Sequence, residues 1–307
     1  MRITLKSWLM VAGALVASSW AGPGAADTNH QSVHAGRASV YKNLNPESLE
    51  KLSSPTRIKA VTRGNTAPME IWRVLEHGER VECLSCIPHV AELLMDGHPK
   101  TREISAWWLR RRVLGVFGPG QVYAQTVERL NDPSTPTMQR AYAAEALGEF
   151  LSHAGVKHVA RAAIEDPAPE VRLASVKALV RLNTEGPQRE LAEAISDSDE
   201  EVRMAALRGA IRVNVFSAPE AVLERIDDSS VRVRTRAVET LGALGARDAV
   251  GGLIALLRQD SDPGVRKAAA AALGAIGDRS ARPELTEALS DSDSFVRDAA
   301  RVALRRL

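Results

Sequence analysis

The two cysteines of the chain, Cys83 and Cys86, stand in a Cys-Leu-Ser-Cys motif. The motif directly precedes a segment, Ile87 to Met95, whose apolar spacing predicts a helix. A helix N-terminus lowers the pKa of a nearby thiol and favours a reactive thiolate. In an oxidising compartment the same pair can close a local disulfide. Three alternatives are open: structural cysteines, either bonded or buried as thiols, a redox-active pair, and metal or haem attachment.

The residues around the motif favour the structural alternative. The βαβ pattern that surrounds a thioredoxin-like pair is missing. Covalent haem attachment needs a histidine directly after the second cysteine, where Ile87 stands. The nearby His77, His89 and His98 have the wrong spacing for a common Cys2His2 zinc finger. We therefore predict no metal and no cofactor.

A second unusual stretch, residues 106–112, reads Ala-Trp-Trp-Leu-Arg-Arg-Arg. Adjacent helical residues point about 100° apart, so one tryptophan is expected in the core and the other partly exposed beside the arginines. Tryptophan and arginine are enriched at the centres of protein–protein interfaces. The alternative is that both tryptophans fill the core and the arginines form a solvated face. The candidate partner-binding residues are Trp72, Trp107, Trp108, Arg110, Arg111 and Arg112.

An internal repeat supplies the elements that position these residues. From Asp260 the chain reads Asp-Ser-Asp-Pro-Gly-Val-Arg-Lys-Ala-Ala, and the same frame returns at Asp291. Each frame places an arginine six residues after its first aspartate, and the steps between frames are 31 or 32 residues. The frame pairs are Asp166/Arg172, Asp197/Arg203, Asp228/Arg234, Asp260/Arg266 and Asp291/Arg297. Asp96 with Arg102 fits the frame, and Asp132 with Arg140 fits it if two residues are inserted.

Each repeat has the local signals of two helices. Residues such as Asp262 can accept hydrogen bonds from the free N–H groups of a helix start, and Pro263 suits the first helical position. Apolar residues then follow at helical spacing until a glycine or asparagine, such as Gly277, ends the helix. A shorter second helix completes the unit. Because such a pair cannot bury its apolar stripe alone, the sequence predicts an all-α solenoid of stacked antiparallel helix pairs.

The Asp-x-Asp-Pro-x-Val-Arg-x-Ala-Ala frame resembles the HEAT repeat, in the short bacterial form called the phycobilisome-lyase HEAT-like repeat. The resemblance covers roughly residues 66–307 and implies that the repeated Asp and Arg residues form a structural ladder between neighbouring repeats. Two enzyme groups share the fold. The deoxyhypusine hydroxylases resemble it and hold iron with His-Glu dipeptides, but none of the seven histidines here is followed by Glu. Phycobilin lyases act inside the cytoplasm or stroma, which conflicts with the N-terminus of this chain.

That N-terminus resembles a secretory signal. Arg2 and Lys6 are followed by an uncharged, apolar stretch, Ser7 to Ala26, with small residues at candidate cleavage points. The alternative is an uncleaved membrane anchor, although the apolar core is short for a span. The formal charge of +2 includes Arg2 and Lys6, so the processed chain is near neutral and no field attracts nucleic acid. We predict a periplasmic or secreted protein.

Three regions follow from these patterns: a signal peptide at 1–26, a polar lead-in at 27–65, and a solenoid at 66–307. The solenoid has frames starting near 66, 96, 132, 166, 197, 228 and 260, with a terminal capping helix from 291. No catalytic triad, P-loop or dinucleotide turn is present in the sequence. We predict a non-enzymatic scaffold whose concave face binds another protein. The alternatives are a thiol-redox accessory protein that uses Cys83 and Cys86, and a chromophore or cofactor lyase.

Overall fold

The computed structural model describes residues 45, 47, 54–112, 120–183, 188–213 and 216–307. The chain divides into two units, Met1–Glu50 and Lys51–Leu307, and the helices described below belong to the second. The predicted signal peptide, residues 1–26, lies outside the described residues, as does the lead-in up to residue 44. No strand occurs in the described ranges, so the predicted all-α solenoid is confirmed.

The helices fall into two alternating sets. Seven helices, which we call the ladder helices, begin near the repeated arginine: α4 (Pro99–Leu109), α6 (Thr137–Phe150), α8 (Pro169–Leu182), α10 (Glu200–Ala210), α12 (Val231–Leu244), α14 (Pro263–Ile276) and α16 (Ser294–Leu304). The connecting helices are α3 (Ile87–Glu92), α5 (Gln121–Asn131), α7 (Val156–Glu165), α9 (Gln188–Ala194), α11 (Pro219–Leu223), α13 (Val250–Gln259) and α15 (Arg282–Glu287). Within the described residues, α1 (Pro55–Val61) and α2 (Pro68–His77) precede them.

The ladder helices begin and end where the sequence predicts. The carboxylates of Asp199, Asp262 and Asp293 accept hydrogen bonds from two backbone N–H groups of the helices that follow them. At the other end, Gly245 and Gly277 adopt left-handed backbone angles, with φ of 65° and 74°. Glycine has no Cβ to resist this conformation, so each helix stops there and the chain reverses.

Stacking of consecutive ladder helices builds the core. Each of α4, α6, α8, α10, α12 and α14 contacts the next ladder helix, and most connecting helices contact the next connecting helix as well. The closest approaches occur at glycines: a Cβ added to Gly274 would lie 2.7 Å from the Cα of Ala303. Gly148 and Gly242 face Ala178 and Ala272 in the same way. Alanine and glycine therefore let the helix backbones pack closely along the stack.

The solenoid begins earlier than the sequence predicts. Helix α1 packs against α2, and its Ile58 and Val61 side chains are buried in the continuous core. The boundary placed at residue 66 is therefore wrong by one helix. The polar composition before residue 55 favours a linker. Helix α1 gives little signal against that interpretation because only two of its side chains are buried. Within the described residues, none of the helices combines the length and apolar character needed to cross a membrane.

Candidate protein-binding face

The repeated arginines join each repeat to the next. The Arg266 guanidinium donates from Nε to Asp291 Oδ2 and from Nη2 to Asp291 Oδ1, each at 2.9 Å. Its Nη1 donates to the backbone carbonyl of Asp260, the first residue of its own repeat, at 3.0 Å. Two-point pairing of a planar guanidinium with a carboxylate fixes orientation as well as distance. The same pairing joins Arg140 to Asp166, Arg172 to Asp197 and Arg234 to Asp260. Arg203 donates from Nη2 alone to Asp228 Oδ1 at 3.1 Å, with its Nε 3.0 Å from Asp228 Oδ2.

The repeated aspartate has a second role. Its Oδ1 accepts the N–H of the residue two positions later, as Asp291 does from Asp293 at 2.8 Å. Each repeated aspartate therefore stabilises the turn of its own repeat and binds the arginine of the preceding repeat. The Asp and Arg side chains of one frame do not pair with each other; each of these Arg residues pairs with the Asp of the next frame, as a ladder between neighbouring repeats requires. Arg297, in the last described frame, donates to the carbonyls of Asp291 and Ser292.

The ladder changes at the repeat with the two-residue insertion. Arg102 donates to Glu145 Oε2 at 2.8 Å, where the frame would place Asp132. Asp132 instead accepts hydrogen bonds from Ser134 and Thr135 within its own loop. The Arg102 guanidinium also lies 3.8 Å from the ring centroid of Tyr142. The insertion displaces the aspartate, and a glutamate and a tyrosine of α6 take its place beside Arg102.

Hydrogen bonding to arginine sets the charge state of the ladder. The two bonds from Arg266 hold the pKa of Asp291 below its ordinary value and outweigh the effect of burial. At Asp197 burial is the largest influence and raises the pKa, but the bonds from Arg172 and from the Asp199 amide together lower it. Asp197 and Asp291 therefore stay ionised at neutral pH and serve as acceptors, not as proton donors.

One face of the ladder helices is left free of the stack, and we call it the ladder-helix face. It consists of the positions five and nine residues after each ladder arginine, and all of these are exposed except the half-buried Trp107 and Glu149. The fifth positions are Trp107, Glu145, Lys177, Arg208, Glu239, Ala271 and Val302, and the ninth are Arg111, Glu149, Arg181, Arg212, Ala243, Ala275 and Arg306. The sixth positions, between them, are all buried.

A groove of about 230 Å³ crosses this face over α4, α6 and α8. Glu103, Tyr142 and Glu149 are among the residues that line it. Glu149 of α6 accepts a hydrogen bond from Arg181 of α8 at 2.6 Å, so an ion pair joins two of the helices that line the groove. Burial nevertheless raises the pKa of Glu149, and this effect exceeds the lowering by Arg181.

The predicted tryptophans separate into interior and surface residues. Trp108 is completely buried, and its Nε1 donates to the Gly78 carbonyl at 2.8 Å. Trp107 is half-buried on the ladder-helix face. Trp72, also half-buried, lies on α2, with Lys100 Nζ 5.3 Å from the centroid of its ring. The prediction that Trp108 contacts a partner is therefore wrong, because its side chain fills the core between α2 and α4.

The arginine run also separates. Arg112 is buried, stacks 3.6 Å from the Trp108 ring centroid, and donates to the carbonyls of Trp108, Glu79 and Val81. Burial lowers its pKa to about 10. Arg112 is thus a structural residue and not the surface contact that the sequence suggested. Arg110 is half-buried and Arg111 is exposed, with Arg111 lying 4.0 Å from Glu79.

Cys83 and Cys86 form a disulfide. Cys86 is fully buried and Cys83 is 6% exposed, so neither sulfur is well placed for attack by an external thiol. The bond ties the turn Leu84–Cys86 to the start of α3, and both cysteines belong to the core. Cys83 also lines a cavity of about 610 Å³ with Leu84, Arg111 and Arg112. Among the described residues, no group of three or more His, Cys, Asp or Glu side chains could hold a metal ion.

Comparison with known proteins identifies the repeat. The family model for HEAT repeats matches residues 123–211 and 219–305, more than half of the chain. The chain belongs to the HEAT-repeat family. The predicted resemblance is therefore confirmed, and the matched ranges contain the ladder from Arg140 onward. No curated protein matches the sequence of this HEAT-repeat chain.

Solved structures share the fold. Kap95p, described in a complex with RanGDP, is 14% identical; the match covers 92% of this chain and 43% of Kap95p, with a TM-score of 0.65. YibA of Escherichia coli is 18% identical over 89% of this chain and 97% of its own, with a TM-score of 0.52. The CpcE–CpcF complex of phycocyanin lyase from Nostoc is 18% identical over 72% and 86% of the two chains, with a TM-score of 0.39. At identities this low, the Kap95p and YibA matches indicate the HEAT-type fold alone.

Proposed function

We propose that this HEAT-repeat protein is a non-catalytic scaffold outside the cytoplasm that binds another protein on its ladder-helix face. The compartment rests on the signal-like segment of residues 1–26. The binding role rests on the structure of the solenoid, because HEAT-type repeats present long, regular surfaces that suit protein partners.

The observation that carries the proposal is a contrast between two sets of positions. Side chains that hold the stack are nearly the same in every repeat, as the ladder arginines and the small buried residues show. Side chains on the ladder-helix face differ from helix to helix: Trp107, Glu145, Lys177, Glu239 and Ala271 occupy one equivalent position. Packing does not require this variation. A sequence of different groups on a regular scaffold is what recognition of a specific partner needs.

The observations give less support to the two alternatives. A thiol-redox role needs an accessible sulfur, but the disulfide lies in the core. A lyase role rests only on a fold shared at low similarity.

Capture of the partner from an extract tests the proposal. The immobilised chain is incubated with periplasmic extract of the source organism, and bound proteins are identified by mass spectrometry. In parallel, the double variant Ala243→Arg and Ala271→Arg places two large side chains on the ladder-helix face. The matched control, Ala124→Arg and Ala255→Arg, makes the same change at exposed positions of the connecting helices α5 and α13.

We expect wild type and control to capture the same protein, and the face variant to lose most of it. All three chains should give the same helical circular dichroism spectrum, because none of the four alanines is buried. If the control loses the partner while the face variant retains it, the binding face is the opposite one. If no protein is captured specifically by wild type, the scaffold proposal is wrong.

A further inference from the structure

A group of exposed cations lies in the middle of the ladder-helix face. Lys177 and Arg181 stand four residues apart on α8, while Arg208 lies on α10 and Arg212 in the turn directly after it. Residues four apart on a helix are neighbours on its surface. We call these four residues the basic patch. In this part of the face both rows are basic in two consecutive repeats.

Most of this charge has no acidic partner in the part of the chain that the structure describes. Arg181 is paired with Glu149, which lies at the edge of the groove. The side chains of Lys177, Arg208 and Arg212 have no ion-pair or hydrogen-bond partner among the described residues. Other arginines of the solenoid do have acidic partners, both in the ladder and in exposed pairs such as Arg232 with Glu200 and Glu201. Like charges on neighbouring repeats repel one another, and among the described residues nothing offsets this repulsion at Lys177, Arg208 and Arg212.

Close packing of α8 and α10 concentrates this charge. Gly209 follows Arg208 directly, and a Cβ added to it would lie 2.4 Å from Val180 Cγ2, next to Arg181. The absence of a side chain at residue 209 therefore lets the two helices approach where their cations stand. Packed helices lie about 8–10 Å apart, a distance that about three residues of an extended polypeptide span.

The neighbours of the patch limit what can bind there. On the fifth-position row, Glu145 of α6 precedes Lys177, and Glu239 of α12 follows Arg208. The row therefore reads acid, base, base, acid over four helices. A nucleic acid carries a phosphate at every step and would meet the flanking carboxylates, whereas a polypeptide can confine its negative charge to a short run. Beyond Glu239 the row becomes small and apolar at Ala271.

We infer that the basic patch is the docking site for a short acidic segment of the partner polypeptide, with Asp or Glu side chains paired to Lys177, Arg208 and Arg212. This inference rests on the proposed scaffold function and specifies the chemistry of its partner. The acidic run covers α8 and α10, about six extended residues. Uncharged or basic residues of the same segment lie over α6 and α12.

A defined peptide tests the inference without the natural partner. The probe is a fluorescein-labelled peptide of six glutamates flanked by Gly-Ser residues, and its binding to the full chain is followed by fluorescence anisotropy at low salt. The patch variant carries Lys177→Gln, Arg208→Gln and Arg212→Gln. The matched control carries Arg189→Gln, Arg279→Gln and Arg282→Gln, three exposed arginines outside the ladder-helix face. Both variants lose the same net charge.

We expect wild type and control to bind the peptide equally and the patch variant to bind it at least about tenfold more weakly, since three ion pairs are lost. The affinity should fall as salt is added. Equal affinity of the patch variant and the control, or no measurable binding to wild type, overturns the inference. Tighter binding of a six-nucleotide single strand than of the peptide, lost in the same variant, overturns it in favour of nucleic acid.

Failure of the inference can be told from failure of the scaffold proposal. If the extract yields a partner that the patch variant still captures, the scaffold proposal stands and the inference is wrong. If the partner is captured through the patch, a carbodiimide, which joins amines to carboxylates, should couple Lys177 to an Asp or Glu of the partner. Mass spectrometry of the coupled peptides then identifies the acidic segment.

Discussion

The Arg172 guanidinium donates two hydrogen bonds to the carboxylate of Asp197 in the next repeat, from Nε at 2.7 Å and from Nη2 at 2.8 Å. The Arg side chain is 12% exposed and the Asp side chain 8%. Because both groups are nearly shielded from water, each depends on the other for its polar contacts. This ion pair therefore links two repeats and belongs to the buried part of the structure.

Breaking the Arg172–Asp197 ion pair should destabilise the solenoid. Replacement of Arg172 by Met leaves the Asp197 carboxylate buried without its partner, at a cost of about 3 kcal/mol. We expect a clear fall in the urea midpoint, measured by circular dichroism. The matched control is Arg232→Met, which removes an arginine that pairs with Glu200 and Glu201 at the surface. A similar loss in both variants would show that the ladder contributes no more than exposed ion pairs do.

The ladder should also make stability depend on pH. Hydrogen bonds from Arg266 hold the pKa of Asp291 below its value in the unfolded chain, which is about 3.9. The unfolded state therefore binds the proton more readily, and this stabilisation is present above pH about 4 and is lost as the pH falls through the folded pKa. The free energy of unfolding of Arg266→Met should be lower than that of wild type, and this difference should be large at pH 6 and smaller at pH 3. Urea titrations at both values measure it, and an unchanged difference contradicts this explanation.

The glycines between ladder helices should not tolerate even one methyl group. A Cβ at residue 274 would lie 2.6 Å from Ala303 Cβ and 2.7 Å from its Cα. Since backbone must move to make room, Gly274→Ala should cost about 1–3 kcal/mol. Gly251 is exposed and has no atom near its Cβ position, so Gly251→Ala should stabilise by up to about 1 kcal/mol. We expect Gly274→Ala to lower the temperature of thermal unfolding and Gly251→Ala to raise it. A Gly274→Ala protein that is more stable than wild type would refute the close approach of the two helices.

The disulfide should act on stability and not on binding. Replacement of Cys83 and Cys86 by Ala removes a short covalent loop, for which chain entropy predicts a loss of about 2 kcal/mol. Thermal unfolding of wild type should shift downward on addition of dithiothreitol, while the double variant should not respond. The folded variant should still capture the partner. Loss of capture at a temperature where the variant is fully folded would instead favour the thiol-redox alternative.

The sequence predicts the fold well because the repeat makes every local signal appear several times. The caps at Asp262 and Asp293, the left-handed stop at Gly277 and the helical spacing between them all recur at steps of 31 or 32 residues. Where the repeat is imperfect, the prediction weakens. Helix α1 was missed, and the exchange of Asp132 for Glu145 beside Arg102 depends on an insertion whose geometry the sequence does not specify.

The candidate site was harder to predict for a different reason. Residues 107–112 contain two tryptophans and three arginines, and helical periodicity alone does not decide which of two adjacent tryptophans is buried. The structure buries Trp108 because its indole N–H reaches the Gly78 carbonyl. The basic patch was missed because its four members are separated in sequence. Alignment of the frames, with comparison of the residues five and nine positions after each arginine, is the signal that could have found it.

Substitution of each tryptophan tests whether Trp108 is the core residue and Trp107 the surface residue. Trp108→Ala removes a fully buried side chain and should cost about 3–5 kcal/mol. Trp107→Ala removes a half-buried side chain from the ladder-helix face, so its cost should be much smaller while its effect on partner capture is larger. Thermal unfolding and the capture assay measure the two effects. The opposite order of stabilities would mean that Trp107 is the core residue.

Hydroxyl-radical footprinting of the chain with its captured partner tests most directly whether the ladder-helix side is the binding surface. Oxidation is compared in the free and bound chain at Trp107 of the ladder-helix face and at Tyr142 in the groove that crosses it. It is also compared at the exposed Met138, about two helical turns before Glu145 on α6, and at His153, which is exposed in the turn that follows α6. We predict protection of the first three residues and unchanged oxidation of His153. Protection of His153 with no change at Trp107, Met138 and Tyr142 would contradict the assignment of this face.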